Sequence, residues 1–271
     1  MTAIATPQET RPVVPFETVG FGNVLRSEWT KLRSLRSTYL CTALVVLAMV
    51  GIAVIMGVRW AQQSGPLPDN FDPTDVTLSG AYLAQVVVTA VGVLTISSEY
   101  GTGMIRATFA AVPQRRAVLA AKGLVLAAAT LVVAEIVSFA AFLIGQALLT
   151  GKHAGVSLAD PGVLRAVAGA GLYLTVAAAL GLGLGAAIRH TAGAISAFFG
   201  LVFASDAVVD LLPTSWRNDL IDYLPLNAGS QVFTIVRVKG ALSPWDGLGV
   251  FALYAVVALA IGFVLIGVRD A

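Results

Sequence analysis

The sequence predicts an all-α integral membrane protein: six transmembrane helices, an N-terminal interfacial amphipathic helix, and both termini cytoplasmic. Three observations predict it. Of 271 residues, 57% are hydrophobic and only 12% charged, about half the roughly 25% charged share of a soluble domain. The apolar residues gather into six long runs that do not alternate as barrel strands do. The basic residues are divided unequally between the intervening segments. Fifteen acids and seventeen bases cannot cover a globule of this size, so a soluble enzyme fold is all but excluded. A lone cysteine, Cys41, leaves no disulfide framework or Cys-clustered metal site. His153 and His190 are too far apart for a zinc motif.

Taken in order, residues 1–20 carry Thr6, Pro7, Pro12 and Pro15 and read as a disordered cytoplasmic tail. Residues 21–37 place Phe21, Val24, Leu25, Trp29, Leu32 and Leu35 at helical steps, continued by Tyr39. Arg26, Lys31, Arg33 and Arg36 mostly occupy the rest of the surface. A basic amphipathic helix with an interfacial Trp lies in the plane of the inner leaflet. It is either a topology anchor alone or an elbow that also touches a cytoplasmic partner.

Residues 38–271 form the six-helix domain, with spans over 38–58, 78–98, 124–149, 163–188, 191–211 and 245–268. Each approaches or exceeds the roughly 20 residues that cross a bilayer. Only Arg189 and His190 separate the fourth span from the fifth. No small-residue cleavage site follows the first span, which reads as a retained signal anchor. With six spans both ends share one side. That side holds eleven basic and five acidic residues, against six basic and nine acidic on the other. The first side is therefore expected to be cytoplasmic.

Two connections are more than linkers. The cytoplasmic segment 99–122 is long for a helix hairpin; Gly101 and Gly103 permit a sharp exit from the second span, and Pro113 ends the short helix that follows. A compact basic element projecting toward a partner is expected there. The extracytoplasmic segment 212–243, with Trp216, Tyr223, Leu226, Val232 and Phe233, is too apolar for free solvent and is expected to form interfacial or re-entrant helices capping the mouth. The first outer loop, 62–77, is polar and acidic and reads as plain.

Within the spans, Glu135 falls near the middle of the third, where a charge costs about 2.5–3.5 kcal/mol on insertion scales. It lines a translocation path or makes a buried interhelical hydrogen bond. Asp206 and Asp210 share one helix face near the outer end, Asp206 being the second path candidate. Gly181 and Gly185 form a small-xxx-small face for close packing, either within the subunit or between copies.

The segment Arg26-Ser27-Glu28-Trp29-Thr30-Lys31-Leu32-Arg33-Ser34 precedes the first span. Ser97-Ser98-Glu99-Tyr100-Gly101-Thr102-Gly103-Met104-Ile105-Arg106 closes the second, followed by Ala111-Val112-Pro113 and Arg115-Arg116. With the six-span layout, these resemble the type-2 ABC transporter permeases, in the small form common in actinobacteria. The resemblance implies a multi-pass subunit of the bacterial cell membrane, forming the translocation path of an ATP-driven exporter. It implies a cytoplasmic ABC ATPase as partner, a second permease copy or homologue completing a dimer, and a lipid bilayer around both; no nucleic acid is expected. Glu99, Gly101, Thr102, Arg106, Arg115 and Arg116 would match the ATPase-docking coupling segment. Arg26, Trp29, Lys31 and Arg33 would match the interfacial elbow helix. The chain itself is expected to bind no cofactor and to be no enzyme, with ATP and Mg held in the partner. The nearest approach to a Walker A loop, Gly145 to Gly151-Lys152-His153, has one residue too many and a His where the hydroxyl belongs.

Other functions remain in play. A secondary transporter or channel independent of an ATPase would carry paired midplane charges, broken helices or an internal repeat. An intramembrane enzyme needs a nucleophile and base, or metal ligands, at membrane depth. A non-transporting membrane anchor or assembly factor requires none of these features.

Overall fold

The computed structural model describes residues 20–269 apart from Pro66, Asp69, His153, Ala154 and 237–239. Residues 1–19 of the tail expected over 1–20, and His153, lie outside the described residues. Among those described there are helices and no strand. Six helical segments are long and apolar enough to cross a membrane: Arg36–Gln62, Pro73–Gly101, Arg115–Leu149, Val163–Ile188, Thr191–Val209 and Pro244–Val268.

Helix α1 (Phe21–Ser34) is followed by α2 (Arg36–Gln62), with Leu35 extended between them. Helices α3 (Pro73–Leu78) and α4 (Ala81–Gly101) together make the second span. A short α5 (Met104–Ala111) leads into α6 (Arg115–Leu149). Its 35 residues rise about 50 Å, well beyond a hydrocarbon core of about 30 Å, so its first turns run outside the apolar layer. Then come α7 (Val163–Ile188), α8 (Thr191–Phe199), a π-turn over Gly200–Ala204 and α9 (Ser205–Val209). Helices α10 (Thr214–Leu220) and α11 (Pro225–Ser230) precede α12 (Pro244–Val268).

Helix α7 is the hub, packed between α4, α6 and α12, and sixteen of its 26 residues are buried. Its glycines explain why. A Cβ on Gly181 would come within 2.3 Å of the Thr89 carbonyl oxygen, and one on Gly183 within 2.6 Å of the Ala258 backbone. Close backbone approach is how helices gain packing contacts where lipid offers no hydrophobic drive. The Gly181 and Gly185 face therefore meets α4 of the same subunit, which resolves the choice in favour of the subunit fold. Thr89 Oγ1 donates to the Ala177 carbonyl at 3.1 Å, and the Tyr173 hydroxyl donates to Gln85 Oε1.

The fourth and fifth spans separate where the sequence puts the break. Arg189 takes a left-handed conformation at φ 59°, uncommon for a residue with a Cβ. Its guanidinium lies 4.9 Å over the Tyr100 ring and donates to the Leu265 carbonyl at 3.1 Å. The His190 side chain caps α8 by accepting from the Gly193 amide.

One expectation needs correction and two are refined. On α1 the residues buried against the bundle are Val24 and Glu28, while Phe21 and Trp29, and Leu35 just after it, stay about half exposed, free to meet the leaflet; the inward side holds a carboxylate, because α6 offers it a cation. The 62–77 segment is not plain. Asp72 caps α3, Thr74 and Thr77 are buried, and Phe71 packs edge-on against Trp60 at 4.7 Å. The apolar 212–243 segment divides: α10 has no buried residue, whereas α11 and the following turn bury Ala228, Val232 and Phe233 against α7 and α12.

Candidate functional site

Helices α1 and α5, the start of α6 and the last residues of α12 share one end of the bundle. The local sequence builds this end. Helix α4 stops at Gly101, and Gly103, at φ 71°, reverses the chain in the left-handed region that glycine tolerates best. Helix α5 then runs eight residues with Ile105 and Phe109 turned inward. Met104 and Arg106 face out. Its end carries Phe109 beneath the Arg115 guanidinium, 5.4 Å from the ring centre.

Beneath α5 four charges close a ring. Lys122 Nζ on α6 lies 2.7 Å from Glu28 Oε2 on α1 and 2.6 Å from Glu99 Oε1 on α4. Lys31 Nζ on α1 lies 2.8 Å from Glu28 Oε1 and 3.0 Å from Glu99 Oε1. Thr108 of α5 approaches Glu99 Oε2 at 3.5 Å. The side chains of Lys122, Glu28 and Glu99 are only 2–5% exposed, and Lys31 is 34% exposed. Burial works against the Lys31 charge, but the Glu28 and Glu99 carboxylates outweigh it, so its pKa is raised above the ordinary 10.5.

Two cations and two anions balance, and that balance is what makes burial tolerable. Taking charges out of water costs several kcal/mol per ion, which mutual attraction offsets only when geometry is good and every lone pair is engaged. Removing one partner from such a set costs about 3–5 kcal/mol, whereas an apolar replacement of the whole set is often neutral. The tetrad is thus poor at adding stability and good at dictating which helices meet. Both carboxylates are already held by ammonium groups, so they are committed as acceptors rather than offered to a metal ion.

The structure gathers some of the expected residues and scatters others. Glu99 and Lys31 join the tetrad. Gly101 and Thr102 are exposed at the end of α4, Thr102 Oγ1 donating to the Ser98 carbonyl at 2.9 Å. Arg106 is exposed on α5. Arg115 Nη1 donates to the Arg269 carbonyl at 3.2 Å, and Arg116 lies alongside Gly267; both tie α6 to the end of α12. Arg26, Trp29 and Arg33 are exposed on α1. Glu135 sits on α6 about 20 Å beyond Lys122, its carboxyl against Gly171 of α7. Asp206 is remote too, accepting from Asn227 Nδ2 at 3.0 Å, while Asp210 pairs with Arg217 at 2.8 Å.

Sequence reasoning missed Glu28 and Lys122 as site residues. A signal was present: between residues 18 and 134, Glu28 and Glu99 are the only acids on the basic side of the chain. An isolated carboxylate at the edge of a membrane helix needs a cation, and Lys122 is the last cation of α6 before its long apolar run.

No curated protein matches the chain. The model of a family described as ABC-2 family transporter protein matches residues 24–205, from α1 through all four tetrad positions to the start of α9. That span exceeds half of the chain and carries the elbow, the short α5, the first four spans and most of the fifth with it. This multi-pass membrane protein therefore belongs to the ABC-2 transporter family, as a type-2 ABC permease, the membrane component rather than the catalytic one.

Proposed function

We propose that this chain is the membrane half of an ATP-driven exporter, moved through α5 by a separate cytoplasmic ATPase that holds ATP and Mg. Permeases of this family usually work with such an ATPase. The observation that carries the reading is the tetrad. It joins α1, α4 and α6 through charge pairs, and α5, which follows directly on α4, meets it through Thr108, 3.5 Å from Glu99 Oε2. A push on α5 is then felt by the helices around it as rigid-body motion. In this reading α5, with Met104 and Arg106 outward, is the docking element, and Gly101 and Thr102 flank it. The basic end faces the cytoplasm, as the distribution of basic residues favours, and α1 lies along the inner leaflet of a bacterial cell membrane. Two such chains, or this one with a homologue, enclose the path, with Glu135 and Asp206 as candidates to line it.

The test is co-expression with the ATPase of the adjacent reading frame. The expected outcome is a complex with vanadate-sensitive hydrolysis. Arg106→Ala should weaken retention of the ATPase by about tenfold, the order of one interface arginine, with membrane insertion unchanged. Glu99→Ala cannot serve for this purpose, because it leaves two lysines facing one carboxylate and perturbs the bundle itself. Full transport by the lone chain would sink the proposal in favour of an ATPase-independent transporter.

A further inference from the structure

A cleft of about 370 Å³ opens beside the tetrad. Glu28, Lys31, Glu99 and Lys122 form its charged end, and Leu35, Cys41, Val91, Leu94 and Leu126 form its walls. A narrower continuation of about 80 Å³ runs on between α2, α4 and α6, past Val45, Val88, Ala129 and Ala134. From Lys122 to Ala134 is about 18 Å along α6. Of the hydroxyls on its path, Thr42, Thr95 and Ser98 each donate to a carbonyl of their own helix. The narrow part is far too small for another helix, whose diameter is about 10–12 Å.

The charge at the mouth also has a sign. Lys122, Glu28 and Glu99 are buried, and Lys31 is the member open to solvent. Lys31 spends two N–H donors on Glu28 and Glu99, and an ammonium has three. Arg33 and Arg36 are exposed close by in sequence. The tetrad's own charges cancel, so the positive surplus beside the slot is that of Arg33 and Arg36, which alternate in the chain with the lining residues Leu32, Ser34, Leu35 and Ser37; with the open N–H of Lys31 they complement an anionic head on a hydrocarbon chain.

We propose that the groove is a lipid site, holding one acyl chain of an anionic phospholipid drawn from the leaflet on the α1 side, with its phosphate at Lys31. The bilayer supplies this occupant, and the phosphate adds an acceptor at Lys31, the tetrad lysine whose third N–H is open to solvent rather than buried. The lipid becomes a wedge between α2 and the α4–α6 pair directly beneath the tetrad. This goes beyond the coupling assignment and needs only the chain and lipid, so failed capture of an ATPase leaves it standing.

Cys41, the sole cysteine, lines both parts of the groove and is a native reporter. The experiment measures its alkylation by N-ethylmaleimide in the purified full chain, with phosphatidylglycerol or phosphatidylcholine added to the detergent. Phosphatidylglycerol should protect Cys41. About fivefold more lipid should be needed with phosphatidylcholine, or with Lys31→Gln, the order of one basic side chain at an anionic surface. Ala129→Trp, which fills the slot, should abolish protection, and Ala128→Trp on the exposed face of α6 should retain it. Equal protection by both lipids, or protection that rises with protein concentration alone and so reports a second copy, overturns the proposal. Should the Trp variant not fold, phosphatidylglycerol with a diazirine in its tail decides on the native chain. Crosslinks at Leu126, Ala129 or Val133 support the site, and crosslinks confined to the outer faces of α2 and α12 defeat it.

Discussion

The two ends of this bundle are fastened by different chemistry. At the α5 end the buried fastening is side chain to side chain, Lys31, Glu28, Lys122 and Glu99 joining three helices, with Arg115 and Arg189 reaching the carbonyls of Arg269 and Leu265 at its edge. At the opposite end, side chains grip backbone. Asp72 Oδ1 accepts the Thr74 and Asp75 amides, and its Oδ2 accepts Ile235 and Val236 at 2.6 and 2.9 Å. Arg165 donates to the Val232 and Thr234 carbonyls at 2.7 and 3.0 Å, and Gln146 bridges the Pro73 carbonyl and the Val156 amide. A side chain bonded to backbone fixes one residue to one place. Alternating ammonium and carboxylate groups are less particular, because a lysine is a rotatable point charge that either neighbour satisfies. One end is built to stay, and the other can change partners without exposing an unpaired charge.

The largest effect should come from upsetting the charge count. Lys122→Met leaves Glu28 and Glu99 buried against Lys31 alone, and should cost about 3–5 kcal/mol in detergent unfolding. Hydrogen exchange should rise across α1 and α5. The double variant Lys122→Met with Glu28→Gln restores one cation to one anion and should recover most of the loss; a double as weak as the single would mean that packing, not charge, dominates here. Next in size is Asp72→Asn. Its amide nitrogen cannot accept from Ile235 and Val236, which should cost about 1.5–3 kcal/mol, the worth of a hydrogen bond to a charged group. Exchange should rise at those two amides and leave α1 and α5 unchanged. Spread to both ends would erase the distinction between them.

What could be read in the sequence follows the same division. The spans were legible because burial in lipid is a property of each run by itself, and even the tight α7–α8 boundary showed as Arg189-His190. The elbow and the short α5 were legible from periodicity, Gly103 and Pro113. Pairings were not. Glu28 and Lys122 are 94 residues apart, and Asp72 and Ile235 are 163 apart, so no local pattern joins them. Asp72 looked like one more acid in a polar loop, because its partners are amides, which every sequence has everywhere. The glycine face of α7 announced close packing but not its partner, which is geometry again.

The smallest effect sharpens the contrast by titration. Lys31 lies outside the spans, on α1, and its pKa is raised from 10.5 by the two carboxylates that outweigh its burial. A cation whose folded pKa lies above its unfolded value contributes stability that is fully present below the unfolded pKa and lost as pH rises through the folded one. The tetrad end should therefore be flat through the neutral range and loosen only above about pH 10.5, seen as rising exchange in α1 before Ile235 and Val236 respond. Lys31→Gln should remove that alkaline step, since the amide does not titrate. The Asp72 end supplies the internal control, because backbone amides hold it and a lysine losing its proton changes none of those bonds. An alkaline step that survives in Lys31→Gln would place the titrating group elsewhere and leave the exposed lysine a bystander to the ring.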